Sequence, residues 1–454
     1  MTPLPMWTLT QAAARAGGET RGADTAFSSV GTDSRRDCTG QLFVALRGER
    51  FDGHAYVAAA RDRGAAAAMV DHPLALDLPQ WIVDDTRAGL GRLAAAWRDR
   101  FPGRVAAVTG SNGKTTVKEM LAAILSQAGP TRATQGNLNN DIGMPLTLLA
   151  ARDEAFLVLE MGANHPGEIA YMTAIGRPEV ALITNAGRAH LEGFGSVAGV
   201  ARAKGEIADG LAGDGVFIVP GDSPYTPLWR ELAAGRTLRT FALDAPADLS
   251  AARASVEVGW AEDGFRTSFV AVQDGVDYPL EIRLAGLHNV LNALAATAAA
   301  LALGVGFAAV RAGLLALTPV PGRLCPRLSN GRRVIDDTYN ANPDSLDAAI
   351  AVLMSLRGRP WLVLGDLGEL GPQSLDLHRA VGTAARAAGV EHLISVGTQS
   401  AAASTAFGPG ARHFTDQSAL ITHLQTVLRP DDLVLVKGSR TARMERIVTA
   451  LCGA

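Results

Sequence analysis

Cysteine is scarce in this chain. Cys38, Cys325 and Cys452 are the three among 454 residues, and they lie far apart. That excludes a disulfide framework and a zinc-ligand spacing. An excess of one charge is missing too: 42 Lys and Arg stand against 45 Asp and Glu, a net charge of −3. The chain therefore offers no electrostatic footprint for nucleic acid or an anionic membrane surface. Long apolar runs are also lacking. The most apolar stretch, Ala293 to Val310, is mostly alanine and is broken by Gly304 and Gly306, so it reads as a buried helix rather than a membrane span. Met1 to Gly17 has no basic start followed by an apolar run, and no signal peptide is expected. There is no internal repeat and no low-complexity tail. These absences point to a cytoplasmic protein, and the length allows two to four domains.

One stretch stands out among what is present: Thr109-Gly110-Ser111-Asn112-Gly113-Lys114-Thr115-Thr116. Arg104 to Val108 before it is short, apolar and β-branched, which reads as a buried strand. Val117 to Gln127 after it has helical spacing and stops at Gly129-Pro130. Strand, Gly-rich turn and helix in that order make a phosphate cradle. The glycines admit close backbone approach, and the helix start presents unpaired N–H groups and a partial positive charge. Lys114 adds a full charge, and the Thr115 hydroxyl suits a magnesium ion. The spacing departs from the common Walker pattern, because only Ser111 and Asn112 separate Gly110 from Gly113. A tight turn with a chance lysine is the alternative. The flanking strand and helix favour nucleoside triphosphate binding.

Three regions read differently along the chain. Residues 1 to 82 form a small α/β unit, with strands at Gln41–Leu46 and Ala65–Val70 and a helix at Tyr56–Arg63. A helix from Thr86 to Arg100 leads onward. Residues 83 to 318 carry the P-loop, with strands at Val105–Thr109, Phe156–Glu160, Val180–Thr184 and Val216–Val219 separated by helices. That is the pattern of a parallel sheet covered on both faces. Residues 255 to 286 switch to alternating β patterning, which predicts a small antiparallel sheet attached to it. Leu287 to Leu303 returns to helix. Residues 319 to 454 alternate again, with strands at Arg333–Asp337, Trp361–Leu364, His392–Val396 and Leu433–Val436. This is a Rossmann-like pattern without the G-x-G-x-x-G fingerprint, so NAD is not expected. Pro319-Val320-Pro321-Gly322 reads as a hinge.

Several strand ends carry chemistry. Glu160 closes Phe156–Glu160, where a carboxylate faces the ligand crevice of an open α/β sheet and, near a P-loop, suits magnesium. A capping or solvated role is the alternative. His190 follows the next strand, with metal or phosphate contact weighed against a structural role. Lys204 sits in a helical segment, and periodicity alone places it on a helix surface. Asn289 and Asn292 lie one turn apart, and their amides suit a purine edge. Asn as an N-cap explains them equally well. Arg323 follows the hinge and suits a γ-phosphate across a cleft. Asp337 closes a strand and suits ribose hydroxyls, with the turn chemistry of Tyr339-Asn340-Ala341-Asn342-Pro343 as the bland explanation.

Taken in order, these pieces resemble the Mur ligases, ATP-dependent amide-forming enzymes of peptidoglycan precursor synthesis. The short P-loop form Thr-Gly-x-Asn-Gly-Lys-Thr is shared, and the resemblance spans essentially the whole chain. Gly136-Asn137-Leu138-Asn139-Asn140-Asp141-Ile142-Gly143-Met144-Pro145 and Glu160-Met161-Gly162-Ala163-Asn164 match the branch that adds a terminal dipeptide. So do Asp337 to Ser345, Leu364 to Gly371 and Val436-Lys437-Gly438-Ser439-Arg440. The Asp-Asn-Pro-Arg tetrapeptide of the branch that adds the third residue is absent. Thr32-Asp33-Ser34-Arg35 and Gly48-Glu49-Arg50-Phe51-Asp52-Gly53-His54 resemble segments of an N-terminal domain that holds a UDP end.

The resemblance implies an α/β, three-domain architecture. A UDP-substrate domain spans 1–82 and a central ATP-binding P-loop domain 83–318. A Rossmann-like domain spanning 319–454 contributes to ATP and dipeptide binding. It implies a monomer that joins D-alanyl-D-alanine to UDP-N-acetylmuramoyl-tripeptide, using ATP and Mg2+. Lys114, Lys204, His190, Glu160 and Arg323 are the implied catalytic set. Thr115 and Glu160 would bind one magnesium and His190 a second. Lys204 would carry a carbamate that reaches the metal. Gly110 to Thr116, Asn289, Asn292, Arg323 and Asp337 would contact ATP. Ser34, Arg35, Asn139, Asn140, Asn340 and Asn342 are the candidate substrate contacts. A folylpolyglutamate-type ligase is a rival, but the Thr32–His54 segment argues against it. A nucleotide-switched binding protein and a non-catalytic UDP-sugar module are rivals from other classes, and the second leaves the P-loop unexplained.

Overall fold

The fold is described from a computed structural model covering residues 5–48, 51–261, 264–329 and 331–453. Glu49 and Arg50 of the Gly48–His54 segment lie outside the described residues. Three main sheets organise the chain in sequence order.

The first runs Glu19–Arg21, Gln80–Ile82, Ala67–Val70, Gln41–Val44, Ser29–Gly31. It is parallel apart from Glu19–Arg21, which lies antiparallel to Gln80–Ile82. The helix Thr86–Arg98 starts on Asp85, whose carboxylate accepts from the Arg87 and Ala88 amides. Its apolar stripe of Leu90, Leu93, Ala94 and Trp97 is buried. Trp97 stacks edge-on against Trp7 and donates to the Ala151 carbonyl. The apolar core consequently continues from the first segment onto one face of the central sheet. Large apolar areas shared in this way hold two units together more firmly than a linker.

The central sheet begins with six parallel strands in the order Thr131–Ala133, Phe156–Glu160, Arg104–Thr109, Val180–Ile183, Val216–Pro220, Thr237–Leu243, and Leu249–Ala251 joins Thr237–Leu243 in parallel. Its inner strands are buried along nearly every residue, as continuous apolar runs covered on both faces require. The antiparallel strands expected between 255 and 286 are present as Glu257–Ala261, Gly264–Gln273 and Val276–Ile282. They extend this same sheet, because Gly264–Gln273 pairs directly with Leu249–Ala251. The alanine-rich helix Leu287–Ala302 is buried against the opposite face together with Lys114–Leu125.

The third sheet runs Cys325–Ser329, Arg332–Asp337, Asp432–Lys437, Arg359–Leu364, His392–Val396, Ala411–Phe414. Only Cys325–Ser329 is antiparallel to its neighbour. Helices pack on both of its faces. Among the described residues no helix is long and apolar enough to cross a membrane. The three cysteines are free.

Candidate active site

The C-terminal ends of the central and third sheets face each other across a cleft of about 710 Å³. Ligands of open α/β sheets bind at such strand ends. The P-loop forms its floor. Gly113 has φ +82 and precedes Lys114–Leu125, and no side chain caps that helix start. Its first amides are thus left for an anion. A Cβ on Gly113 would collide with Asn292 Oδ1. Gly113→Ala is therefore expected to weaken ADP binding at least about tenfold, equivalent to about 1.4 kcal/mol, as read by calorimetry.

The loop is stitched to the strand end beside it. Asn112 N–H donates to Asn185 Oδ1 at 2.9 Å, and Thr184 Oγ1 donates to the Asn112 carbonyl at 2.6 Å. Gly187 N–H donates to Ser111 Oγ at 2.9 Å. Lys114 Nζ donates to the Gly110 and Ser111 carbonyls at 2.7 and 3.1 Å. Surrounding protein lowers the Lys114 pKa by desolvation, and Glu160 partly opposes the shift.

Glu160 sits at the back of the cleft. Its Oε1 accepts from Asn139 Nδ2 at 2.8 Å and Thr115 Oγ1 at 3.2 Å. Its Oε2 is buried with no hydrogen-bond partner, the buried Lys118 Nζ standing 4.0 Å away. Thr115 Oγ1 accepts in turn from Arg323, 3.0 Å away on the third segment. Arg323 stacks over Tyr339, and its Nε is also buried without a partner. An unsatisfied carboxylate oxygen and an unsatisfied guanidinium nitrogen on one cleft are costly unless a ligand meets them. Hard oxygen donors from Glu160 and Thr115 fit a magnesium ion.

His190 lines the cleft with its Nδ1 2.7 Å from Glu369 Oε2. Lys204 does not line it. The surface position that periodicity gives Lys204 is wrong: its side chain is fully buried, lies over the Phe194 ring and points its Nζ at the Ala163 carbonyl, 3.4 Å away. Burial, reinforced by the positive charge of Lys114, pushes its pKa down to about 7.

Asn289 and Asn292 are buried in the cleft wall. The N-cap alternative fails, because Gly286 precedes the helix and no side chain caps it. Asn289 is already occupied, donating to the Ala285 carbonyl and accepting from Asn292 Nδ2. Asn292 Oδ1 is left toward Gly113. Asp337 Oδ2 lies 2.5 Å from the buried Lys437 Nζ, and its Oδ1 accepts from the Leu324 amide. His288 nearby is held neutral down to about pH 4 by burial. Asn140 lines the cleft, yet its side chain accepts from the Gly143 amide to start a helix. Asn342 caps Pro343–Ser355 and donates to Asn112 Oδ1 at 2.8 Å. Asn340 lines the cleft, while Ser34 and Arg35 do not. Arg35 is exposed and paired with Asp33.

Motif reading gave no role to Lys118, Lys437, Glu369 or Arg188. Lys118 is fully buried, with Nζ on the Thr134 carbonyl and Glu119. Arg188 grips Asp344 and Asp347 across the cleft. Lys437 and Glu369 lie within Val436–Arg440 and Leu364–Gly371, but their partners come from distant parts of the chain.

The chain matches the Mur ligase middle domain over residues 108–300, the Mur ligase glutamate ligase domain over 322–440 and the Mur ligase family catalytic domain over 26–125. A UDP-N-acetylmuramoyl-tripeptide–D-alanyl-D-alanine ligase of Escherichia coli is 47% identical over 449 residues, 98% of each chain. This chain belongs to the Mur ligase family. A solved MurF structure from Acinetobacter baumannii superposes on this Mur ligase with a TM-score of 0.93, at 38% identity and 100% coverage of both. A MurF from Thermotoga maritima, solved in complex with ADP, gives a TM-score of 0.83 at 28% identity, covering 93% of this chain and 96% of that one. The three-domain α/β architecture is that of these Mur ligases.

Proposed function

We propose that this chain joins D-alanyl-D-alanine to UDP-N-acetylmuramoyl-tripeptide with ATP, giving the UDP-pentapeptide, ADP and phosphate in peptidoglycan precursor synthesis. The observation that carries this reading is the whole-chain match to a relative of that name. The cleft chemistry supports it. Residues 1–82 hold the UDP end, 83–318 bind ATP, and 319–454 bring in Arg323, Asp337 and the dipeptide. The protein acts as a cytoplasmic monomer.

A carboxylate is a poor acyl donor, because oxide would have to leave. Its oxygen attacks the γ-phosphorus of ATP, the bond to ADP breaks, and an acyl phosphate results. This transfer depends on positioning and on charge neutralisation. Lys114 and the P-loop amides hold the phosphates. Arg323 meets the charge that develops on the transferred group. The dipeptide amine then attacks the acyl carbon, and phosphate leaves. Asn292 contacts the adenine and Asp337 the ribose. Thr115 and Glu160 would hold one magnesium and His190 a second, with Lys204 reaching the metal as its carbamate; bound there, the metal would supply positive charge against the triphosphate and the carboxylate. A lysine with a pKa about 7 is substantially neutral at neutral pH. Its nitrogen then bonds to the carbon of carbon dioxide and loses a proton to solvent, giving a carbamate whose oxygens are anionic donors.

The test is phosphate release from ATP with magnesium, with UDP-tripeptide and D-alanyl-D-alanine supplied separately and together. Release that requires both, with a UDP-pentapeptide detected by mass, is the expected result. Release indifferent to the dipeptide would move the enzyme to another branch. Turnover indifferent to any UDP-peptide would favour a nucleotide-switched binding protein.

A further inference from the structure

His190 and Glu369 lie on loops that follow strands of different sheets and meet across the cleft. Both are non-glycine residues in the left-handed region, at φ 54 and φ 58. Such backbones persist where the surroundings over-determine them. The surroundings of Glu369 do so. The neighbouring Asp366 carboxylate accepts from the Thr398, Gln399 and Ser400 amides. Leu367 N–H donates to Nε2 of the fully buried His378 at 3.0 Å. Leu367 and Leu370 are themselves buried. Glu369 thus sits on a braced loop and presents its carboxylate to one nitrogen of His190.

The other nitrogen, Nε2, has no hydrogen-bond partner among the described residues, and the ring lines the cleft. A carboxylate at Nδ1 keeps the proton there and leaves the Nε2 lone pair outward. Metal-binding histidines are commonly oriented in this way.

We propose that Glu369 is a positioning residue that holds His190 so that its Nε2 faces a divalent cation in the phosphate cleft. This rests on the reading of His190 as a ligand. Thr115 and Glu160 belong to the central segment, whereas Glu369 lies on a loop that follows a strand of the third sheet. The cation site at His190 is therefore fully formed only when the C-terminal segment is against the cleft.

The test titrates Mn2+ into the full chain with a non-hydrolysable ATP analogue and counts bound ions by electron paramagnetic resonance. Glu369→Ala is expected to weaken one site ten- to a hundredfold and leave the other unchanged. His190→Gln is expected to remove that same site. Glu369→Gln, whose amide oxygen still accepts from Nδ1–H, is expected to restore most of the affinity and guards against misfolding of the alanine variant. Nitrogen-15 spectra of nucleotide-free protein, assigned with His190→Gln, are expected to show the His190 proton on Nδ1 in the unsubstituted chain and spread over both nitrogens in Glu369→Ala. If His190→Gln loses the site while Glu369→Ala titrates like the unsubstituted chain, the positioning role is overturned. If His190→Gln also titrates like the unsubstituted chain, the ligand reading of His190 falls first.

Discussion

Lys204→Ala is expected to abolish ligation, a loss of the order of 10^3 or more in kcat, comparable with removing a major source of transition-state charge stabilisation. Short carboxylates such as formate or acetate are expected to restore part of it by entering the space left by the side chain. The reasoning starts from burial. An ammonium enclosed beside Phe194, with Lys114 adding like charge, is disfavoured, and the group titrates at about 7 instead of near its usual 10.5. Only the neutral amine reacts with carbon dioxide. At fixed dissolved carbon dioxide, ligation should therefore fall as pH drops through about 7. The carboxylate-rescued variant should lose the part of that limb due to Lys204 and keep the part set by the neutral dipeptide amine. Full activity of Lys204→Ala without added carboxylate would remove the carbamate from the mechanism.

Arg323→Lys is the second large effect, expected at about 10^3 or more in kcat, in line with arginines that meet a transferring phosphoryl group. A lysine lacks the planar fork that reaches Thr115 Oγ1 while stacking over Tyr339. ADP binding should change much less, because the P-loop that holds the phosphates belongs to the central segment. A variant with raised KM and unchanged kcat would make Arg323 a plain binding residue.

The parallel sheets and the P-loop were legible because each central strand is a continuous apolar run and each turn carries its glycines. Other strands escaped. Thr131–Ala133 is three residues long at the sheet edge, and Thr237–Leu243 mixes half-exposed polar positions with buried ones. Leu9–Ala16 hides in alanine, although Thr8 and Gln11 form a capping box. At the site, motifs located the residues but not their partners. Asn289 and Asn292 suit a purine by type, yet Asn289 is already engaged by the Ala285 carbonyl and by Asn292. Lys204 reads as surface from its spacing, because nothing local announces that Ala163 and Phe194 will close over it. Glu369 and Lys437 find their partners 179 and 100 positions away, the separations between Glu369 and His190 and between Lys437 and Asp337. No window along the chain contains both members.

The bridge from Asn342 to Asn112 and the grip of Arg188 on Asp344 and Asp347 bear on how the enzyme lets go. Contacts that keep water from a reactive acyl phosphate also keep spent nucleotide and phosphate inside. Release should therefore require these lips to part, and their charged members are partly solvent-exposed and so weakened by salt. A tighter grip would protect the intermediate at the expense of throughput, and a looser one would leak it to hydrolysis.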